Sequence, residues 1–467
     1  MERLIKIGQV PVKTSKDVHD SRIGIGFEKL DRDVFDPEKA YDKVAAIGVK
    51  WVRLQSGWQK TETEKGVYDF AWLDRVVDNL ITRGMKPWIC LCYGNRIYGG
   101  MAEEVFGAVG CPPIFTDEQR IGWENYVRAL IRHYKTRVDT FEIWNEPDGI
   151  WCWKHGVNAR ELGEFTRDTA GYIREEFPEA EIIGGVICNR DLYFIGEALK
   201  TGMGEAIDAI SFHEYTDREE LVFERVDGLK ALGRKYNPDM MIVQGESGSQ
   251  SRSGGNGALR SGAWTQRKQA KQLLRHTVAD LMTEVQFTSY FSCMDMIEAL
   301  NGKIGDKLSW LDYGYFGVLS ADFDENGVAT GEYTPKQSYT ALSVLASVFA
   351  EDFRSCTLPV LYKPAESPRI FGYDLPYREI IAGGFTRDNG AKAYAYWHPS
   401  AIMTTDFEGT VTMEIADVTN PPKLIDPMDG SIYDIPEGVL EYESEDCIVL
   451  HNLPVKDYPL ILTFGEF

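Results

Sequence analysis

From about residue 22 to residue 350, short apolar runs alternate with longer stretches whose apolar side chains recur at helical spacing. The runs Ile23–Glu28, Lys50–Gln55, Pro87–Tyr93, Thr140–Glu146, Glu181–Ile187, Ala209–Tyr215, Met241–Glu246 and Phe287–Cys293 read as strands. Asp36–Ile47, Ala71–Arg83, Ile121–Tyr134, Ala159–Glu176, Asp191–Leu199, Glu219–Lys235, Gln266–Thr283 and Lys336–Phe349 read as amphipathic helices. Eight β/α units over about 330 residues predict an α/β fold, a (β/α)8 TIM barrel with enlarged loops. An open doubly wound sheet is the alternative. It calls for a glycine-rich phosphate turn after the first strand, and none follows Glu28.

After Phe349 the rhythm changes to short alternating strands separated by Gly, Pro and Asp turns. Arg378–Phe385, Lys392–Trp397, Thr410–Ile415 and Cys447–Leu450 are examples, and they predict a C-terminal β-sandwich domain. Leu4–Val12 also has strand character and no helix of its own. The expected division is therefore residues 1–20 as a strand joining the sandwich, 21–350 as the barrel and 351–467 as the sandwich.

In a barrel of this kind the chemistry sits at the C-terminal ends of the strands. Those ends are polar: Glu28 on the first strand, Arg53 on the second with Trp58 just beyond it, and Tyr93 and Asn95 on the third. The fourth, Phe-Glu-Ile-Trp-Asn-Glu-Pro, ends at Asn145 and Glu146 and is stopped by Pro147. The sixth ends at His213, Glu214 and Tyr215, and the seventh at Glu246. The fourth and seventh strands lie nearly opposite each other, so Glu146 and Glu246 are expected to approach within the roughly 5–5.5 Å used by double-displacement glycosidases. Glu146 suits the acid/base, next to Asn145 as a ligand for a sugar 2-hydroxyl. Glu246 suits the nucleophile, kept ionised by Arg53 and Tyr215. His213, Glu28, Trp58, Tyr93, Asn95 and Trp151 complete the expected substrate-binding set. Strict alternation would turn Glu214 away from the cavity, toward a surface cation. Each residue also has a plain structural reading: a solvated rim carboxylate, a buried ion pair or aromatic packing.

A fourth strand ending in Asn-Glu-Pro, with a glutamate ending the seventh, resembles glycoside hydrolase clan A. The Trp-Asn-Glu-Pro form, the trailing sandwich and the length are most similar to family 39, which includes β-xylosidases. The resemblance implies retention of anomeric configuration, with Glu146 as acid/base and Glu246 as nucleophile. Arg53, in Trp-Val-Arg-Leu-Gln, matches a second-strand arginine of relatives such as family 5. His213 and Tyr215, in Ser-Phe-His-Glu-Tyr, match the sixth-strand pattern near the nucleophile. The seventh strand departs from the pattern: Gln-Gly-Glu-Ser-Gly replaces the family's Thr-Glu-Trp type.

Composition narrows the partners. A net charge of −22 repels phosphate backbones and anionic membranes, so neither nucleic acid nor membrane is expected. Aromatic residues make up 12% of the chain and suit the flat apolar faces of sugar rings. The expected partner is a carbohydrate substrate, with homo-oligomer formation left open. The eight cysteines show no CxxC or Cys/His ligand spacing, and only His213 among the histidines ends a strand. No metal and no organic cofactor are expected. Met1–Asp20 has no apolar leader, which favours the cytoplasm. Long loops at 94–118, 148–157, 247–265 and 294–333 are expected to narrow a groove into a pocket, favouring exo action. Arg252, Arg260 and Arg267 raise an acidic sugar as one option. An endo-acting clan A glycanase, a carbohydrate-binding barrel without catalysis and a metal-dependent barrel hydrolase or isomerase are the competing readings.

Overall fold

The computed structural model describes residues 1, 3–364, 369–370, 373–374 and 380–467. Eight parallel strands close into a barrel: β2 (Ile23–Gly26), β3 (Trp51–Gln55), β4 (Lys86–Leu91), β5 (Thr140–Ile143), β6 (Glu181–Ile187), β7 (Ala209–Glu214), β8 (Met241–Ser247) and β9 (Thr288–Tyr290). β1 (Ile5–Gln9) precedes them and pairs antiparallel with Ser431–Asp434. The (β/α)8 expectation therefore holds, with short edges to the eighth strand.

Helices cover the barrel where the apolar spacing places them. Several start on side-chain caps: Thr116 for Asp117–Tyr134, Asn158 for Ala159–Glu176 and Thr265 for Gln266–Met282, each accepting from a first-turn N–H. The expected helix over 36–47 is broken into a 3-10 turn, Pro37–Lys39, and a single helical segment, Tyr41–Ala45. Asp36 caps Glu38 N, and Pro37 has no N–H to give.

The barrel interior is layered. At the strand starts, Trp51, Trp88, Ile183, Ala209, Val243 and Phe287 form an apolar plug, with Trp51 stacked on Phe287 at 4.3 Å. Above it the inward residues turn polar, and Arg53 meets Glu142. The plug closes one end of the barrel and leaves the other for chemistry.

Among the described residues the C-terminal part forms two larger antiparallel sheets and a two-stranded one, Arg369–Ile370 with Tyr373–Asp374. One has seven strands in the spatial order β1, Ser431–Asp434, Pro422–Asp426, Leu460–Phe464, Lys392–Trp397, Ile381–Thr386 and Arg354–Cys356. The other holds Val360–Pro364, Glu408–Ala416, Cys447–Lys456 and Leu440–Tyr442. The strand expected at Arg378–Phe385 runs from Ile381 to Thr386; Arg378 and Glu379 lie outside the described residues.

The sandwich is tied to the barrel through helix Gln266–Met282, which is buried along most of its length. Lys271 Nζ donates to Asp457 Oδ2 at 2.8 Å, with both side chains fully buried. Glu219 Oε1 accepts from Arg275 Nε at 2.6 Å and from Trp397 Nε1 at 2.8 Å. Among the described residues no helix is long and apolar enough to cross a membrane.

Candidate active site

Two local irregularities aim the carboxylates. In β5, Glu142 points inward to Arg53 while Phe141 and Ile143 pack outward in the core. Strict alternation would then send Trp144 inward and Asn145 outward. Instead Trp144 adopts φ 68° and Glu146 φ 43°, a backbone region costly for residues with a Cβ. The phase slips: Trp144 packs among Trp123, Trp153 and Phe165, and Asn145 and Glu146 both face the cavity.

In β8 the slip is a bulge. Phe212 pairs with Gln244 but His213 pairs with Glu246, so Gly245 is the extra residue. A Cβ on Gly245 would lie 2.5 Å from Ser211 Oγ and 3.0 Å from His213 Nε2. Glycine is required there, and the bulge turns Glu246 inward.

An oxygen of Glu146, an oxygen of Glu246 and a ring nitrogen of His213 lie within 4.8 Å of one another. Glu146 Oε2 accepts from Trp151 Nε1 at 2.5 Å, and its Oε1 lies 2.9 Å from His213 Nδ1. Glu246 Oε2 accepts from the Tyr215 hydroxyl at 2.6 Å and lies 3.5 Å from His213 Nδ1; its Oε1 accepts from Arg53 Nη1. Burial opposes ionisation of Glu246, but His213, Arg53 and the Tyr215 O–H together hold its pKa below the ordinary glutamate value. Burial favours neutral His213, yet Glu246 and Glu146 outweigh it and raise its pKa. Burial, then the two glutamates, push the Tyr215 phenol up, so it stays a donor.

A cavity of about 730 Å³ opens above these groups. Of the residues expected to bind substrate, Glu28, Tyr93, Asn145, Trp151 and Tyr215 line it together with Glu146 and Glu246. Asn145 is held from both ends: its Oδ1 accepts from Arg53 Nη2 at 2.8 Å and its Nδ2 donates to Tyr93 Oη at 2.9 Å.

Other expected contacts are corrected. Trp58 is fully buried away from the cavity, stacked on Tyr126 and packed on Tyr98 and Trp123, with its indole N–H on Glu62. Gly57, at φ 59°, turns the chain outward immediately before it. Asn95 is also structural: its Nδ2 donates to Glu62 O at 2.7 Å and its Oδ1 caps Ile97 N. Arg53 and His213 are fully buried beneath the cavity and reach it only through the carboxylates and Asn145. Glu214 does pair with a surface cation, the part-exposed Arg190, but it is itself buried, also meets buried Arg225 and lines the cavity. Arg252 stacks over Tyr315 and Arg267 pairs with Asp406, which leaves Arg260 at the cavity.

Several lining groups come from loops that carry no periodic signal: Glu298, Asp312 and Phe316 after β9, and Asn256 after β8. Lys29, which directly follows Glu28, also lines the cavity, and its Nζ lies 3.4 Å from Glu298 Oε2.

Residues 39–225 match the family model Glycosyl hydrolases family 39, a span that includes Glu146 and His213 and stops before Glu246. A β-xylosidase of Geobacillus stearothermophilus is 25% identical over 166 residues, covering 33% of this chain and 32% of the relative. One of Caldicellulosiruptor saccharolyticus is 27% identical over 192 residues, covering 36% of this chain and 37% of the relative. Each alignment thus spans about a third of the curated relative's length. The solved structure of a family 39 β-xylosidase from Caulobacter crescentus superposes over 97% of this chain and 98% of its own, with a TM-score of 0.57 at 15% identity, a likeness of fold. With the closed barrel and its trailing sandwich, these matches show a chain similar in sequence to glycosyl hydrolases family 39 over part of its barrel and like a family 39 structure in fold throughout.

Proposed function

We propose that the protein hydrolyses a β-glycosidic bond by double displacement with retention of configuration, acting on the terminal sugar of a short oligosaccharide or glycoside of the β-xyloside type. The observation that carries this reading is the approach of Glu146 and Glu246 to within 4.8 Å, each in a different environment. That spacing leaves no room for a water between carboxylate and anomeric carbon, as an inverting enzyme needs.

Glu246, kept ionised by Arg53, the Tyr215 hydroxyl and the charge of His213, attacks the anomeric carbon. Glu146 gives its proton to the glycosidic oxygen, so the C–O bond breaks and the aglycone leaves as an alcohol. Glu146 then takes a proton from water, whose oxygen displaces Glu246 from the glycosyl ester. Asn145 is positioned for the 2-hydroxyl by Arg53 and Tyr93. The walls supplied by the loops after β8 and β9 support exo action.

The test is turnover of nitrophenyl glycosides with the first-formed anomer followed by proton NMR. Glu246→Ala is expected to lose at least about a thousandfold in kcat on every substrate, and Glu146→Ala as much on alkyl glycosides. Glu146→Ala retains more activity on aryl glycosides, whose leaving groups need little protonation. Release of the inverted anomer, or wild-type rates in either variant, overturns the reading.

A further inference from the structure

Beneath the cavity one guanidinium serves three carboxyl groups. Arg53 donates through Nε and Nη2 to Glu142 and through Nη1 to both Glu246 and Glu28, the last at 3.1 Å. The three acids are not equally provided for. Glu142 takes two Arg53 nitrogens and has Trp88 Nε1 at 3.5 Å. Glu246 adds the Tyr215 hydroxyl and His213 to its share of Arg53. Among the described residues Glu28 has only the nitrogen it shares with Glu246. Its Oε2 is buried with no hydrogen-bond partner among them, and the residue is 1% exposed.

A buried carboxylate oxygen without a donor is far more costly than a buried neutral O–H without an acceptor. Two carboxylates sharing one nitrogen also disfavour each other's charge. We propose that Glu28 carries a proton in the resting enzyme and acts as a positioning residue, its neutrality leaving the Arg53 Nη1 charge to the nucleophile Glu246.

The other ionisable groups facing Glu28 fit this distribution. Across from it on β8 is ionised Glu246, and on β7 the raised His213. The Cys293 thiol, pushed up by burial and then by Glu28, and the Tyr215 phenol stay protonated. Lys29, next in sequence, spends its ammonium on Glu298 and on the Ile297 carbonyl at 3.0 Å. Burial first, and then Glu246, raise the Glu28 pKa to about 8, against the opposing pull of Arg53. A raised carboxyl is neutral below that value and ionised above it. Deprotonation then brings a competing anion onto Arg53 Nη1, and nucleophile activity falls on the alkaline side.

The proposal rests on Glu246 being the nucleophile. It is tested with kcat/KM against pH for the wild type, Glu28→Gln and Glu28→Ala, using a nitrophenyl β-xyloside. Glu28→Gln, a neutral mimic, is expected to keep more kcat/KM near neutrality than Glu28→Ala and to lose the limb near pH 8. Glu28→Ala is expected to fall by more than tenfold with KM little changed. A Glu28→Gln enzyme that keeps the same alkaline limb, or is crippled at every pH, overturns the proposal, because an ionised structural partner of Arg53 would behave so. Infrared difference spectra of the wild type and Glu28→Gln supply a readout without turnover. The carbonyl stretch of a protonated carboxyl is expected around pH 6 and is lost by about pH 10. Its absence at the lower pH sinks the proposal. If the wild type turns over no glycoside, the glycosidase reading fails and the spectrum alone decides on Glu28.

Discussion

The Tyr215 hydroxyl donates to Glu246 Oε2 at 2.6 Å, closer than the His213 Nδ1 that lies 3.5 Å from the same oxygen. A hydrogen bond to a charged group contributes about 1.5–3 kcal/mol. Tyr215→Phe is therefore expected to lower kcat/KM by roughly ten- to a hundredfold. The phenol helps hold the Glu246 pKa down, so its removal moves the acid limb of the pH profile upward. A variant with an unmoved acid limb would show that the hydroxyl serves packing instead.

Trp151 Nε1 donates to Glu146 Oε2 at 2.5 Å, from a half-buried indole that also walls the cavity. Trp151→Phe keeps most of the apolar face and removes the N–H. The expected result is about a tenfold loss in kcat on alkyl glycosides and a smaller loss on nitrophenyl glycosides. A comparison of the two substrate classes checks it; equal losses would place the effect in binding.

Lys271 and Asp457 form a fully buried pair between a barrel helix and the sandwich. Removing one partner of such a pair leaves an uncompensated charge and costs about 3–5 kcal/mol. Lys271→Met is expected to lower the urea midpoint accordingly, and Lys271→Met with Asp457→Leu to recover a large part of the loss. An unchanged midpoint in the single variant would contradict the coupling.

Asp406 sits at the same junction, exposed to about a third, against Arg267 and Lys271. Burial raises its pKa, but the hydrogen bonds from both cations win and hold it at about 2, below the ordinary 3.8. A depressed carboxyl stabilises above its unfolded-state pKa and loses that contribution as pH falls through the folded value. The stability gap between wild type and Asp406→Asn is thus expected to be constant above about pH 4 and to close toward about pH 2. Denaturation midpoints across that range measure it.

The barrel was legible because each β/α unit writes its period locally, and the C-terminal strands did the same. Glu146 and Glu246 stood out because both end barrel strands. The alternation argument failed where the backbone leaves the strand region. The positive φ at Trp144 put Asn145 beside Glu146, where the sequence pattern alone sends it to the other face. Gly57 likewise carried Trp58 out of the site within a few residues of the strand end. Glu214 escaped for a different reason: its buried partner Arg225 lies on the following helix, and nothing in the local pattern pairs them. Glu298 and Asp312 arrive on a long loop without a period, so only the folded chain brings them to the cavity.

β1, at residues 5–9, closes one edge of a sheet whose other members all lie after residue 350. Its partner strand therefore lies on the far side of the whole barrel in sequence. That partner is Ser431–Asp434, and the buried Lys271–Asp457 pair spans the same junction. The strand before the barrel and the sheet after it are thus one unit, and the residues that follow the barrel cannot complete that sheet by themselves.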